Sequence, residues 1–271
     1  MVCVRTEKDE NSREVSRQKG QEACERNLSI MNKLTDIHSH ILPGVDDGAK
    51  NTETSLVMLQ KAWEEGIRRI IVTPHYKPMH HNVSPESMKK MAEKLYFEAS
   101  RQGMDFEFFT GNEIYYHSEA VNGLDEGKIS TMANSEYVLF EFSPMDEYEY
   151  IRNGIYQVIV GGYRPILAHI ERYACISNKE ERVEDLLQMG CYIQINASSI
   201  TGKLGFATKQ FCKKLLKYRM VHFVATDAHD TEKRSPQIQD CAKYISKKYG
   251  EEYMRQLLYH NPQCIIRNEY I

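Results

Sequence analysis

Short apolar, β-rich runs alternate with segments of helical period along most of the chain. The runs fall at residues 34–40, 69–75, 105–115, 137–142, 165–170, 191–196 and 222–227. Between them, Leu56, Leu59 and Trp63 share one helical face after a Thr-rich start. Met88, Met91 and Leu95 share another, after Ser84-Pro85, an N-cap followed by proline at the first helical position. Leu204, Phe211 and Leu215 mark a further helix, and Ser235-Pro236 is expected to open one more. The link 116–135 is less regular and should carry only a short helix. Strands that alternate with helices pair in parallel. Seven of them in one chain predict a barrel or a strongly curved sheet.

No repeat, low-complexity tract or Gly/Ser/Pro-rich linker divides residues 31–271, so we read one domain there. Residues 1–30 differ. The first 28 hold six basic and six acidic residues and almost no aliphatics. Such a segment buries too little surface to offset its ordering entropy and is expected to be poorly ordered.

Composition narrows the function classes. The 271 residues are 41% hydrophobic and 27% charged, with 35 basic against 38 acidic side chains and a net charge of −3. That balance gives no global basic excess for gripping nucleic acid. A mean hydropathy of −0.56 and the lack of a long apolar run exclude a predicted membrane span. Seven cysteines, odd in number and without a C-x-x-C, read as reduced thiols of a cytoplasmic protein.

The polar residues at the strand ends carry the chemistry. In a β/α barrel the reactive groups gather on the loops that follow the strands. The first run ends in His38 and His40, the second in His75, and the third carries Glu113. The fourth ends near Glu141, the fifth near His169, and the seventh leads into Asp227 and His229. Asp46 and Asp47 follow the first run, whereas the sixth ends in Asn196, a weaker ligand. Residues i and i+2 of a strand face one side, so both histidines of an H-x-H can reach one ion. Taken singly, each of these residues is more often an ordinary hydrogen-bonded group, and Asp46-Asp47-Gly48 more often a turn. His80, His81, His117, His222 and His260 keep that ordinary reading. Together, at one end of a barrel, they point to metal, because buried carboxylates need a cation to offset their desolvation. Imidazoles and carboxylates without thiolates suit Mn²⁺, Fe or Zn²⁺. The nine candidates His38, His40, Asp47, His75, Glu113, Glu141, His169, Asp227 and His229 exceed the needs of one ion. Two or three ions is the natural reading.

These stretches resemble the polymerase-and-histidinol-phosphatase (PHP) superfamily of metal-dependent phosphoesterases. Within it they are most similar to bacterial protein-tyrosine phosphatases of capsule and exopolysaccharide operons. The matching residues are 36–48 (DIHSHILPGVDDG), 73–75 (TPH), 111–116 (GNEIYY), 138–142 (VLFEF), 167–173 (LAHIERY) and 226–229 (TDAH). The resemblance implies a distorted (β/α)7 barrel with a trinuclear site, commonly manganese. By that analogy His38, His40, Glu113 and Asp227 hold one ion, and Glu113 bridges to a second held by Glu141 and His169. Asp47, His75 and His229 hold the third. Arg172 and Arg234 match positions that grip the phosphate, which suits a guanidinium fork that never loses its charge. The expected reaction is attack of a metal-bridging hydroxide on a phosphotyrosine. The expected partner is a bacterial tyrosine kinase with a tyrosine-rich tail, and Tyr76, Tyr115 and Tyr173 lie where they can flank a tyrosyl ring, although core packing is the commoner role for any one of them.

Other chemistries fit less well. A thiolate phosphatase needs an arginine six residues after its cysteine, and Cys175 and Cys212 each reach one only at the seventh. Neither nucleotide-binding glycine motif is present. Amidohydrolase barrels also open with H-x-H but often bridge their metals through a strand-end lysine, which no run here supplies. A phosphomonoesterase acting on a small molecule such as histidinol phosphate remains the nearest alternative. A metal-binding regulatory or docking module without turnover is the reading from another class.

Overall fold

Each apolar run becomes a parallel strand or a broken pair of them. The structure is a computed structural model that describes residues 33–271, so the expectation for residues 1–30 lies outside the described residues. Its strands are β1 (Leu34–Ser39), β2 (Ile67–Val72), β3 (His75–Tyr76), β4 (Glu107–Thr110), β5 (Glu113–Tyr115), β6 (Tyr137–Glu141), β7 (Arg164–Leu167), β8 (Tyr192–Asn196) and β9 (Phe223–Ala225). Two parallel ladders result, β1-β2-β4 and β3-β5-β6-β7-β8-β9. The predicted run 69–75 splits into β2 and β3 at Thr73-Pro74, because proline has no N–H for the ladder. The run 105–115 splits into β4 and β5 at Gly111-Asn112. Backbone bonds from Thr73 N to Ser39 O (3.0 Å) and from Gly111 N to Val72 O (2.9 Å) carry the alignment across both breaks. At the other side, Ser39 bridges Ala228 in parallel, and His40 N donates to Ala228 O at 2.9 Å. The end of β1 therefore meets the chain just beyond β9.

One extra residue in β1 matters more than any other detail of the sheet. Asp36 pairs with Ile70 and Ser39 with Val72, three steps on β1 against two on β2. Such a bulge re-aims side chains, and bulges are common beside active sites. Ile37 and Ile71 pack together in an inner apolar cluster with Leu139, Ile166 and Phe223. After the bulge, His38 and His40 come together at the end of the strand.

The other sheet face packs against the helices. Val138, Phe140, Leu167, Ile193 and Val224 join Met58, Leu59, Leu95, Ile155 and Leu215 in the larger core. The helices are α1 (Thr52–Glu64), α2 (Pro85–Arg101), α3 (Ala120–Asp125), α4 (Tyr148–Val160), α5 (Glu180–Gln188), α6 (Ala197–Thr201), α7 (Phe206–Lys217), α8 (Gln239–Tyr249), α9 (Glu251–Arg255) and α10 (Asn261–Arg267). Ser84 caps α2 as expected, accepting from Ser87 N. The link 116–135 carries only α3 and a 3-10 turn at Met132–Asn134. Two expectations need correction. Leu204 lies in an exposed turn before α7, and Ser235-Pro236 does not open a helix. That helix, α8, begins at Gln239, where Glu65 Oε2 from across the fold accepts from Ile238 N and Gln239 N at 2.9 and 2.7 Å. Among the described residues, no helix is long and apolar enough to cross a membrane.

His222 behaves as the sequence reading assigned it, as a structural residue. Its Nδ1 accepts the Ile193 N–H at 3.1 Å at the entry to β9. Burial disfavours the imidazolium and pushes its pKa down to about 4 from 6.5. Between those values the unfolded chain binds a proton that the folded protein refuses. The stability contribution is therefore complete above pH 6.5 and is lost as pH falls toward 4. At pH 4.5 the loss should reach about 2.5 kcal/mol. His222→Asn, which keeps an acceptor but cannot titrate there, should narrow the gap between urea-unfolding free energies at pH 7 and 4.5 by about that amount. Equal pH slopes for both proteins would refute this assignment.

Candidate metal centre

The candidate side chains, Glu113 among them, gather in one cluster at the strand ends. Glu113, 1% exposed, opens β5. Its Oε1 lies 3.2 Å from His38 Nε2 and 2.8 Å from His169 Nε2. Its Oε2 lies 3.2 Å from His40 Nε2 and 3.0 Å from His75 Nδ1. Glu141, the last residue of β6, places Oε1 2.9 Å from the same His75 nitrogen. Asp47 Oδ1 reaches His75 Nε2 at 3.3 Å and His229 Nε2 at 3.5 Å. Asp227 Oδ1 stands 3.5 Å from His38 Nε2 and 3.6 Å from His40 Nε2. All nine sequence-predicted ligands are thus in the assembly.

Three subsets offer ligand atoms within 4.8 Å of one another: His38, His40 and Glu113; His75, Glu113 and Glu141; and His40, Asp47, His75 and His229. The donor set fits cations. His38 Nδ1 and His40 Nδ1 each face an oxygen, Gln194 Oε1 at 3.2 Å and Asp46 Oδ2 at 2.7 Å. Those bonds place the ring protons on Nδ1 and leave the two Nε2 lone pairs facing each other at 3.2 Å. Two acceptors that close call for a positive charge between them. His75 Nδ1, Glu113 Oε2, Glu141 Oε1 and His229 Nε2 are likewise buried without a hydrogen-bond partner, despite their proximity. Native interiors seldom leave such atoms unsatisfied unless an ion uses them.

The electrostatics agree. Burial disfavours charge on His40, yet its bond to Asp46 and the nearby Glu113 carboxylate push its pKa up to about 9. Burial also opposes charge on His75, but Asp47, Glu113 and Glu141 push it up to about 12. Burial would raise the Glu113 carboxyl, and His38 with its neighbouring imidazoles holds it well below the usual carboxylate range instead. Asp227, opposed by burial in the same way, is held low by His38 and Arg172. Glu113 and Asp227 are thus held as carboxylates, and where no ion is bound the neighbouring imidazoles carry the balancing protons that a cation would displace.

Residues beyond the nine hold it in shape. Asp46, a candidate ligand by position, instead accepts from His40 and from His75 N at 3.1 Å, and it orients both. Gln194, on β8, takes the His169 N–H at 2.9 Å as well as facing His38, and its Nε2 donates to Asn196 Oδ1 at 2.7 Å. Asn196 Nδ2 in turn donates to Asp227 Oδ2 at 2.9 Å. His169 and Asp227 both sit at left-handed backbone, φ 33° and 52°. This conformation costs a non-glycine residue about 1–3 kcal/mol. Gln194 and the bond from Asp227 N to His38 O (2.9 Å) hold them there. Asp36 receives Thr226 N and Thr226 Oγ1, which ties β1 to the Asp227 turn. Gly48 is obligatory for another reason: a Cβ there would lie 2.0 Å from His40 O. The sixth run was read only for its end residue Asn196. The polar alternation Gln194-x-Asn196 inside a buried strand was the available signal for this amide pair.

Both predicted arginines reach the centre. Arg172 Nη2 and Arg234 Nη2 each lie 2.8 Å from a different oxygen of Asp227. The expected aromatic flank is only partly there. Tyr173 is fully buried with its hydroxyl oxygen accepting Phe142 N, so it cannot touch a ligand. Tyr76 and Tyr115 stay partly exposed.

Residues 34–267 match the family described as capsular polysaccharide synthesis, CpsB/CapC. The chain is 35% identical over 243 residues to the tyrosine-protein phosphatase CpsB of Streptococcus agalactiae serotype V, covering 88% of this chain and 100% of that protein. It superposes with a TM-score of 0.82 and 30% identity on a solved structure from work on YwqE of Bacillus subtilis and CpsB of Streptococcus pneumoniae, described as metal-dependent tyrosine phosphatases. That match covers 88% of this chain and 96% of the other. A histidinol phosphate phosphatase of Lactococcus lactis shares the fold alone, at TM-score 0.53 and 15% identity, with 80% and 94% covered.

Gln194→Ala should weaken binding of Mn²⁺ or Zn²⁺ by about 10- to 100-fold, as loss of a ligand's orienting partner typically does. Titration calorimetry reads the affinity, and the visible spectrum of the Co²⁺-loaded variant reads the altered ligand field. Unchanged affinity and spectrum would mean that the imidazoles need no amide to hold them.

Proposed function

The chain belongs to the CpsB/CapC family of capsular polysaccharide synthesis, and from that premise we propose that it is a metal-dependent phosphatase of phosphotyrosine on proteins. The observation that carries the reading is the meeting of Arg172 and Arg234 on Asp227, at the edge of the imidazole–carboxylate centre. Residues 31–271 act as one catalytic domain, a distorted (β/α)7 barrel whose strand ends carry the site. His38, His40, Asp47, His75, Glu113, Glu141, His169, Asp227 and His229 are its metal ligands, for two or three ions. Mn²⁺ suits this oxygen- and nitrogen-rich set, with Fe and Zn²⁺ as the other fits. Cations held there supply Lewis acidity, which makes water nucleophilic at neutral pH and stabilises both the entering and the leaving oxygen.

The chain's own residues do the rest. Arg172 and Arg234 each commit one Nη2 to Asp227 and keep further N–H donors for the phosphoryl oxygens. Arg234 Nε is buried without a partner, so a bound oxyanion would relieve it. Asp227 fixes both guanidinium groups against its two oxygens, so they need little reorganisation as charge develops on the phosphoryl group. A phenolic leaving oxygen, with a pKa near 10, demands less proton donation from these side chains than an alkoxide would. The partner class is a bacterial tyrosine kinase with an exposed tyrosine-rich tail, because only a protruding side chain reaches a site at strand ends. Seven cysteines without a C-x-x-C fit a cytoplasmic setting.

The test is turnover of a phosphotyrosyl peptide and of histidinol phosphate by chelated protein reloaded with Mn²⁺. Peptide turnover should vanish in His38→Ala, and Arg172→Ala or Arg234→Ala should each lower kcat/KM by about 100-fold or more. Turnover of histidinol phosphate alone would move the protein to small-molecule substrates. Turnover of neither, with metal bound, would sink the phosphatase reading.

A further inference from the structure

Asp227 borders a second space on the side away from the imidazoles. A cavity of about 490 Å³ opens there, lined among others by Arg172, Arg234, Lys203, Lys233, Glu232 and Leu204. Four cationic side chains meet in one pocket of a chain whose net charge is −3. Two of the four, the arginines, are already engaged by Asp227. The two lysines are not ion-paired with any acidic group among the described residues. Lys203 Nζ donates only to the neutral Gln237 Oε1, at 2.6 Å. Both lysines are exposed at the rim.

An exposed lysine is ordinarily just solvated, but these two stand on fixed turns. Lys203 follows Gly202, left-handed at φ 103°, and its N–H donates to Ser198 O at 3.0 Å. Lys233 sits in a loop knotted by Asp230 Oδ1, which accepts from Glu232 N at 2.6 Å and Arg234 N at 3.0 Å. Arg234 O closes the loop by accepting His229 N at 2.8 Å. The loop that places Lys233 is therefore the one that places Arg234 and His229. Cations carried on an ordered backbone beside a cleft raise the local concentration of anions there. Asp227 and Glu232 on the same lining temper that field, and the four cations still outnumber them.

We propose that Lys203 and Lys233 form a secondary anion subsite, which selects peptides carrying a further oxyanion close to the phosphotyrosine. This rests on the phosphotyrosine reading above. The oxyanion is either a carboxylate of a neighbouring Asp or Glu or a second phosphoryl group on a neighbouring tyrosine. Both match an ammonium pair, and the experiment separates them. A wholly neutral tail would leave the lysines without a counter-charge and gain nothing from them.

Binding is measured by fluorescence anisotropy on the full chain reloaded with Mn²⁺. The probes are labelled peptides bearing a non-hydrolysable phosphonate analogue of phosphotyrosine, flanked by neutral residues, by glutamates, or by a second phosphonate. Acidic flanks should lower Kd by about tenfold at low salt, and less at high salt, where exposed charges are screened. A gain with both acidic peptides identifies a general oxyanion subsite, and a gain with the second phosphonate alone identifies a phosphoryl subsite. The double variant Lys203→Ala/Lys233→Ala should bring the three Kd values together, and Lys203→Glu/Lys233→Glu should invert their order. Equal binding of the three peptides by the natural protein overturns the subsite. So does a preference that survives charge reversal. Turnover of the matching phosphotyrosyl peptides is scored separately, so a failed phosphatase reading shows as absent hydrolysis and a failed subsite as absent discrimination.

Discussion

A carboxylate with no access to water, ringed by four imidazoles, is the constraint around which the site is built. Desolvating Glu113 alone would be prohibitive, and the penalty for a buried ion remains several kcal/mol even after the surroundings relax. The fold offsets it by bringing His38, His40, His75 and His169 within about 3 Å, from strands far apart in sequence. Each imidazole must then be held with one ring nitrogen facing inward, where it donates to the carboxylate or shares a cation with it. This explains the outer ring of oxygens at Gln194 and Asp46, which takes the Nδ1 protons of His38 and His40. It also explains the broken strands. The stop at Thr73-Pro74 and the stop at Gly111-Asn112 put His75 and Glu113 side by side in the β3–β5 pair.

Asp227 faces two ways, and that links the centre to substrate binding. Toward the imidazoles it adds negative charge, and toward the outer cavity it anchors both arginines. A carboxylate shared this way keeps the guanidinium groups in place before any ligand arrives. Its left-handed backbone, and that of His169, are strained positions retained because neighbouring bonds over-determine them. Within the centre, both left-handed residues fall where the chain leaves β7 and β9, where side chains must be aimed rather than merely packed.

Much of this was legible in the sequence because strand periodicity and residue type speak to the same question. Parallel pairing followed from alternating strands and helices, and the nine clustered side chains followed from acidic and imidazole groups at successive strand ends. What was not legible depended on tertiary registration. Periodicity cannot show that β1 carries one extra residue between Asp36 and Ser39, because both readings have the same apolar positions. Nor could Ser235-Pro236 reveal that its helix waits for a cap from Glu65, 174 positions before Gln239. Tyr173 looked like a rim residue by position, but its hydroxyl has a backbone partner inside the core.

The amides of β8 show why the ring of acidic and imidazole side chains has a gap at the sixth strand. A carboxylate at Gln194 would set another negative charge beside His169 and Asp227, in a place where Glu113 and Asp227 already repel each other. A histidine there would add a donor but lose the bidentate reach of an amide. Glutamine accepts from His169 N and faces His38 with one oxygen, then donates with its nitrogen to Asn196, which donates onward to Asp227. The chain of bonds runs in one direction, from imidazole and backbone donors to a carboxylate acceptor, and no link in it carries net charge. Neutral groups can therefore align His38, His169 and Asp227 without altering the charge of the cluster. An imidazole–carboxylate cluster of this kind gains from neutral ordering elements, because every added charge would shift its affinity for a cation.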